Sequence, residues 1–190
     1  MSINTPETPD LADANAMSAL VDSQRNPIYA VLDEIEMESV TRFVCEPGVY
    51  TGKCVAVFDL LKQPGYNGGS PRRKVGIMFE MDKVIEHGDH KGEPYYLTKI
   101  VAVVKHEKSG LIQLAKSWLK QDLMKLPFKP SMMVNQYGTV VVENIEKNGE
   151  KKAVIQTVLP PQPGHRTMVT TYDPQNTPDW VLRMRAQAIR

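Results

Sequence analysis

Apolar and polar positions alternate with period two in two neighbouring stretches, and the rest of the chain can be read outward from them. In the first, Tyr50, Gly52, Cys54, Ala56 and Phe58 fall on one face, with Thr51 and Lys53 on the other. In the second, Val75, Ile77, Phe79 and Met81 oppose Lys74, Gly76, Met78 and Glu80. This alternation predicts two half-buried strands, the second running from about Lys74 to Val84. Between them, residues 63–73 combine Pro64, Gly65, Gly68, Gly69 and Pro71 with Tyr66, Arg72 and Arg73. That composition predicts a mobile hairpin loop, cationic and tipped by an aromatic ring. Glu46-Pro47-Gly48 is turn chemistry ahead of the first strand. Gly52 in mid-strand costs stability but permits the sharp coil of a small barrel.

Beyond the second strand, residues 86–92 read as a polar turn. Tyr95 to Lys105 predicts a third strand with two apolar rows: Tyr95, Leu97, Lys99, Val101 and Val103 on one, Tyr96, Thr98, Ile100, Ala102 and Val104 on the other. Which row faces inward is left open. A helix follows, with Ser109 as N-cap and Leu111, Leu114, Ala115 and Trp118 on one stripe, Trp118 being read as core. Residues 120–137 are a connecting segment broken by Pro127 and Pro130. Thr139–Glu146 and Lys151–Val158 predict two strands joined around Asn148-Gly149, a strong hairpin signal. The run Pro160-Pro161-Gln162-Pro163-Gly164 closes the domain. A last helical turn is expected around Trp180, Val181 and Met184.

The predicted order is β-β-β-α-β-β. Five strands with one helix between the third and fourth match a mainly β, five-stranded OB-fold barrel, carrying flexible N- and C-terminal arms. The divisions are residues 1–46 as an acidic, partly helical or disordered arm, 47–163 as the barrel, and 164–190 as a tail. Within the first arm, Ile28, Val31, Leu32 and Ile35 recur at helical spacing behind Asn26-Pro27.

Charge changes this picture. The whole chain carries a net +1, but residues 1–48 sum to −7 and the remainder to +8. An acidic arm on a basic domain is the expectation. Cys45 and Cys54 have no CxxC partner, so they are expected as reduced, buried thiols and not as zinc ligands or a disulfide framework. His87, Asp89 and His90 share a polar turn without a distant ligand set, so no metal and no cofactor is expected. No apolar run is long enough to span a membrane, and Met1–Leu20 is polar, so a cytoplasmic protein is expected.

Catalytic signatures are missing. The chain has no GxSxG, no HExxH and no glycine loop followed by a helix that could cradle phosphate. Glu80 and Asp82 are read as solvated carboxylates on an outer strand face. A non-enzymatic function is the expectation. The residues do supply what sequence-tolerant single-strand binding needs, a cationic groove for phosphates and aromatic faces for bases. The candidates are Lys53, Tyr66, Arg72, Arg73, Lys74, Tyr95, Tyr96, Lys99 and Lys105.

The same residues carry a resemblance. Gly48-Val49-Tyr50 opening strand one, Phe58-Asp59-Leu60 near its end, Arg73-Lys74-Val75 opening strand two, His106-Glu107-Lys108-Ser109 before the helix and the proline-rich exit after Leu159 resemble phage-encoded single-stranded-DNA-binding proteins with an OB-fold. The likeness covers roughly residues 46–163, and Pro178-Asp179-Trp180-Val181 is similar to a short motif that follows the domain in that group. It implies coating of single-stranded DNA in support of phage DNA replication and recombination, in the host cytoplasm. Many single-strand binders recruit partners through an acidic C-terminal tail, whereas this tail carries Arg183, Arg185 and Arg190 and the acidity sits in the N-terminal arm. That arm is expected either to fold over the basic face when DNA is absent or to recruit other replication or recombination proteins. The alternative is a structural or protein-interaction barrel in a virion or other assembly, and a weaker third reading is an inhibitor of a host nucleic-acid enzyme. DNA-versus-RNA preference and self-association stay open.

Overall fold

The computed structural model describes residues 44–65, 68–147, 149–165 and 167–189. The helix expected over residues 28–40, the acidic arm up to Phe43, Tyr66 and Asn148 lie outside them. Five strands form one antiparallel sheet: β1 (Gly48–Gln63), β2 (Arg72–Val84), β3 (Pro94–Ala102), β4 (Tyr137–Lys147) and β5 (Glu150–Leu159). Their order across the sheet is β3-β2-β1-β4-β5. The long β1 serves two partners in turn. Residues 48–53 pair with β4 and residues 52–63 with β2. Gly52 lies where the two ladders overlap, and a Cβ there would meet Val140 Cγ2 at 2.6 Å. Its lack of a side chain lets β4 and the inner core close over the strand.

Helix α1 (Gly110–Leu114) continues into a π-helical turn over Ala115–Leu119. Ser109 caps it as expected, its hydroxyl accepting from the Ile112 amide. Leu111, Leu114, Ala115 and Trp118 are all buried. They join Cys54, Val75, Ile77, Phe79, Met81, Val101, Val140, Val142 and Val158 in the main core. Trp118 packs on Phe79 with ring centroids 5.1 Å apart, and its indole N–H donates to the Tyr137 carbonyl at 2.7 Å. Both cysteines are free and buried.

The inner row of β2 is the one the alternation predicts. The row assigned to β1 is not. Cys54 pairs with Phe79 but Ala56 pairs with Met78, so Val55 is an extra residue in the ladder. A β-bulge reverses facing parity. Cys54 stays in the main core, whereas Ala56 and Phe58 turn to the opposite face with Val55 and Leu60. On β3 the structure settles the open choice: Tyr95, Leu97, Val101 and Val103 contact the inner core.

The second cluster explains why both faces of β1 and β2 are apolar. Val55, Phe58, Leu60 and Met78 are covered from outside by Tyr172, Trp180, Val181 and Met184 of the C-terminal segment. Helix α2 (Asp179–Ala186) presents Val181, fully buried, and Trp180, which meets Phe58 edge-on at 5.7 Å. Gly76 is the floor under that indole, since a Cβ there would stand 2.8 Å from it. The expected free tail is therefore corrected. Residues 167–189 belong to the same compact unit as the sheet and are packed against its outer face.

Edge strands β3 and β5 lie against one another, without a ladder of backbone hydrogen bonds among the described residues. Lys99 spans the gap. Its ammonium donates to the carbonyls of Ile155 and Gln156 at 2.7 and 2.8 Å. An inward-facing lysine of this kind satisfies acceptors that an edge strand otherwise leaves bare.

Candidate nucleic-acid interface

Register decides which candidate residues meet. Lys74 pairs with Ala102 across β2 and β3, and the Val103 amide donates to the Arg73 carbonyl at 2.8 Å. The strand that leads to Lys105 is thereby tied to the base of the β1–β2 hairpin. Arg72, Arg73, Lys74 and Lys105 gather at this end of the sheet, all but half-buried Lys74 well exposed. Three clefts open among them. One, ≈ 330 Å³ in volume, is lined by Gly65, Gly69, Ser70, Arg72, Lys74 and Ala102. A second, ≈ 460 Å³, has Lys105 and Lys125 at its edge and Leu111, Leu126 and Phe128 among its apolar walls. The third, ≈ 610 Å³, runs between Lys62, Arg73 and Arg185.

Arg73 is partly engaged already. Its guanidinium forks onto the Asp59 carboxylate, with the Nε bond at 3.1 Å. That pairing, helped by the Leu61 amide, holds the Asp59 carboxyl below the usual carboxylate range. Lys74 reaches the Pro64 carbonyl at 3.3 Å, which steadies the start of the loop.

The other candidates are placed elsewhere. Lys53, Glu80 and Tyr96 form one cross-strand row on the outer face of β1, β2 and β3. The C-terminal segment crosses this row. The Thr170 hydroxyl and the Thr171 amide donate to the Glu80 carboxylate, and Tyr96 Oη lies 2.8 Å from Thr171 Oγ1. Glu80, expected as a solvated carboxylate, is 2% exposed and acts as the anchor of that segment. Tyr172 adds an edge contact to Tyr96 at 6.1 Å, and burial pushes the Tyr96 phenol up. Lys53 stands 5.8 Å from the ring centroid of Tyr137, which in turn packs on His165 at 4.8 Å. Tyr95 is on the inner face against the main core. Lys99 is committed to the β5 carbonyls, and burial lowers the pKa of its ammonium.

Sequence reasoning missed Lys62, Lys125, Phe128 and Arg185 at the cationic end. Lys62 and Arg185 flank apolar positions that pair only in three dimensions, so no local pattern marks them. Phe128 follows Pro127 in a segment read simply as a connection. Among the described residues no three His, Cys, Asp or Glu side chains cluster as a metal site. No helix among them is long and apolar enough to cross a membrane. The chain matches no protein-family model and no curated protein sequence.

Proposed function

We propose that this chain is a non-catalytic binder of single-stranded DNA with an OB-type barrel, acting in phage DNA replication or recombination. The observation that carries the reading is the gathering of Arg72, Arg73, Lys74 and Lys105 around open, partly apolar clefts at one end of the sheet. Cations there can follow phosphates, while apolar walls such as Phe128 offer surfaces to bases. The strand order, the helix between β3 and β4 and the Lys99 bridge between edge strands are what an OB barrel needs, with Lys99 standing in for a closing ladder.

In this reading the strand does not use the whole outer face of β2 and β3. Residues 170–172 already occupy the row at Glu80 and Tyr96, so the path is displaced towards the β1–β2 hairpin and the end of β3. Lys53, Tyr95, Tyr96 and Lys99 then support the fold, and Arg72, Arg73, Lys74 and Lys105 contact DNA.

The test is fluorescence anisotropy with labelled oligo-dT and the matching duplex at two salt concentrations. Binding confined to the single strand and weakening steeply with salt is the expected result, because each phosphate contact releases a counterion. Absence of binding at low salt, also after removal of residues 1–46, would favour the structural barrel instead.

A further inference from the structure

We infer that the cleft between the end of β1 and helix α2 is a nucleotide subsite, in which the C-terminal segment supplies part of the DNA-binding surface. This rests on the single-strand reading above and extends it to residues that reading does not include.

The cleft is built by an irregularity in β1. The ladder slips between Asp59 and Lys62, and Leu61 adopts a φ of 60°. A left-handed leucine is strained, and the surroundings must hold it there. Asp59 does so by accepting from the Leu61 amide at 3.0 Å while pairing with Arg73. The result turns the Leu61 side chain outward, 44% exposed.

The C-terminal segment is fastened to the same end of β1, at Asp59, Lys62 and Gln63. The Asp59 carbonyl accepts from Arg185 Nε at 2.9 Å, the Lys62 carbonyl from the Ile189 amide at 2.8 Å, and Gln63 Nε2 donates to the Met184 carbonyl at 2.8 Å. These bonds set Arg185 beside Arg73 and Lys62 around a space of ≈ 610 Å³. Asp59 is the one carboxylate bonded to this group among the described residues, so the rim keeps an excess of positive charge. The lining between the cations is apolar: Leu61, Ala186, Ala188 and Ile189, with Ile189 44% exposed.

Cations around an apolar floor fit an anion with an uncharged, flat body attached. A phosphodiester with its sugar and base has that chemistry, and a bare anion uses only the rim. The subsite adjoins the hairpin through Arg73, so one strand can pass from Lys74 and Arg72 into it.

The test compares full-length protein with the Lys62→Ala/Arg185→Gln double variant and with Arg183→Gln, whose side chain lies outside the cleft. Binding to labelled oligo-dT is measured over a salt series, with thermal melting as the check on folding. Should the double variant melt early, Lys62→Glu replaces it, because the Lys62 side chain makes no hydrogen bond or ion pair among the described residues. The expected result is a several-fold loss of affinity and a salt slope shallower by about 1.4 if two phosphates are no longer neutralised, or about 0.7 if one is, with Arg183→Gln unchanged. If the wild type binds oligo-dT and the cleft variants bind equally well, the subsite is overturned and the single-strand reading stands. If neither the wild type nor the protein lacking residues 1–46 binds, both are overturned, and if only the latter binds, the same variants are compared in it.

Discussion

At the scale of single residues, burial has redefined two side chains whose chemistry looked open to solvent or ligand, and it seals a third as expected. Glu80 lies on a row that reads as an outer face, yet its carboxylate is consumed by Thr170, Thr171 and Tyr96. Lys99 carries a charge inward to meet two carbonyls of β5. Cys54 is sealed in the main core, where burial pushes its thiol from 9.0 up to about 12. The last has a measurable consequence. Below pH 9 the thiol keeps its proton in both folded and unfolded chains, and stability does not depend on its titration. Between pH 9 and about 12 the unfolded chain releases that proton and the folded one does not, so stability falls as pH rises, by roughly 1.4 kcal/mol per pH unit. Urea midpoints at about pH 8 and about pH 10.5, on either side of the unfolded thiol's titration, should therefore drop more for the wild type than for Cys54→Ala. Equal drops would mean that the thiol is not protected as the structure has it.

Elements tell a related story about periodicity. The inner row of β2 follows from alternation alone, because Val75, Ile77, Phe79 and Met81 meet the core without interruption. On β1 the same reasoning fails at Val55, where a bulge adds a residue that leaves no mark in the composition. On β3 both rows are apolar, and only the covering segment explains why. The outer cluster is invisible to local reasoning for the same cause: Gly76, Met78 and Phe58 wait for Trp180 and Val181, which arrive from far along the chain. Trp180→Ala removes the indole that lies over Gly76 and against Phe58. Truncating a half-buried aromatic here should cost roughly 2–4 kcal/mol, the lower part of the range for large-to-small changes. The cost should show first as protease cleavage within residues 164–178, ahead of cleavage in the sheet. Simultaneous loss of both would mean that α2 and the sheet unfold as one unit.

The whole molecule places its charge unevenly, and this much was legible from residue counts. The hairpin cluster Arg72, Arg73 and Lys74 was also readable, because its three cations are consecutive in the chain. Lys105 was named from its strand, but Lys62, Lys125 and Arg185 were not, since they join the surface only through the packing of residues 123–128 and the docking of α2. Replacing Arg72, Arg73 and Lys74 together by alanine should lower the salt slope of oligo-dT binding by up to about 2, at roughly 0.7 for each phosphate that the side chains cease to neutralise. The melting temperature should change little, because Arg72 and Arg73 are exposed and the exposed Arg73–Asp59 pair contributes little to stability. A triple variant that binds as the wild type does would reduce the hairpin to a connection.

The covering of the outer face also fixes an order of events in synthesis. Gln63 and Met184, bonded in the finished fold, are 121 residues apart. At about 5–20 residues per second, roughly 6–24 s pass between the making of β1 and the arrival of its cover. During that interval Phe58, Leu60 and Met78 form a bare apolar strip on a nascent sheet. A message cut short before Trp180 would release chains that carry this strip permanently, and such chains would tend to adhere to one another.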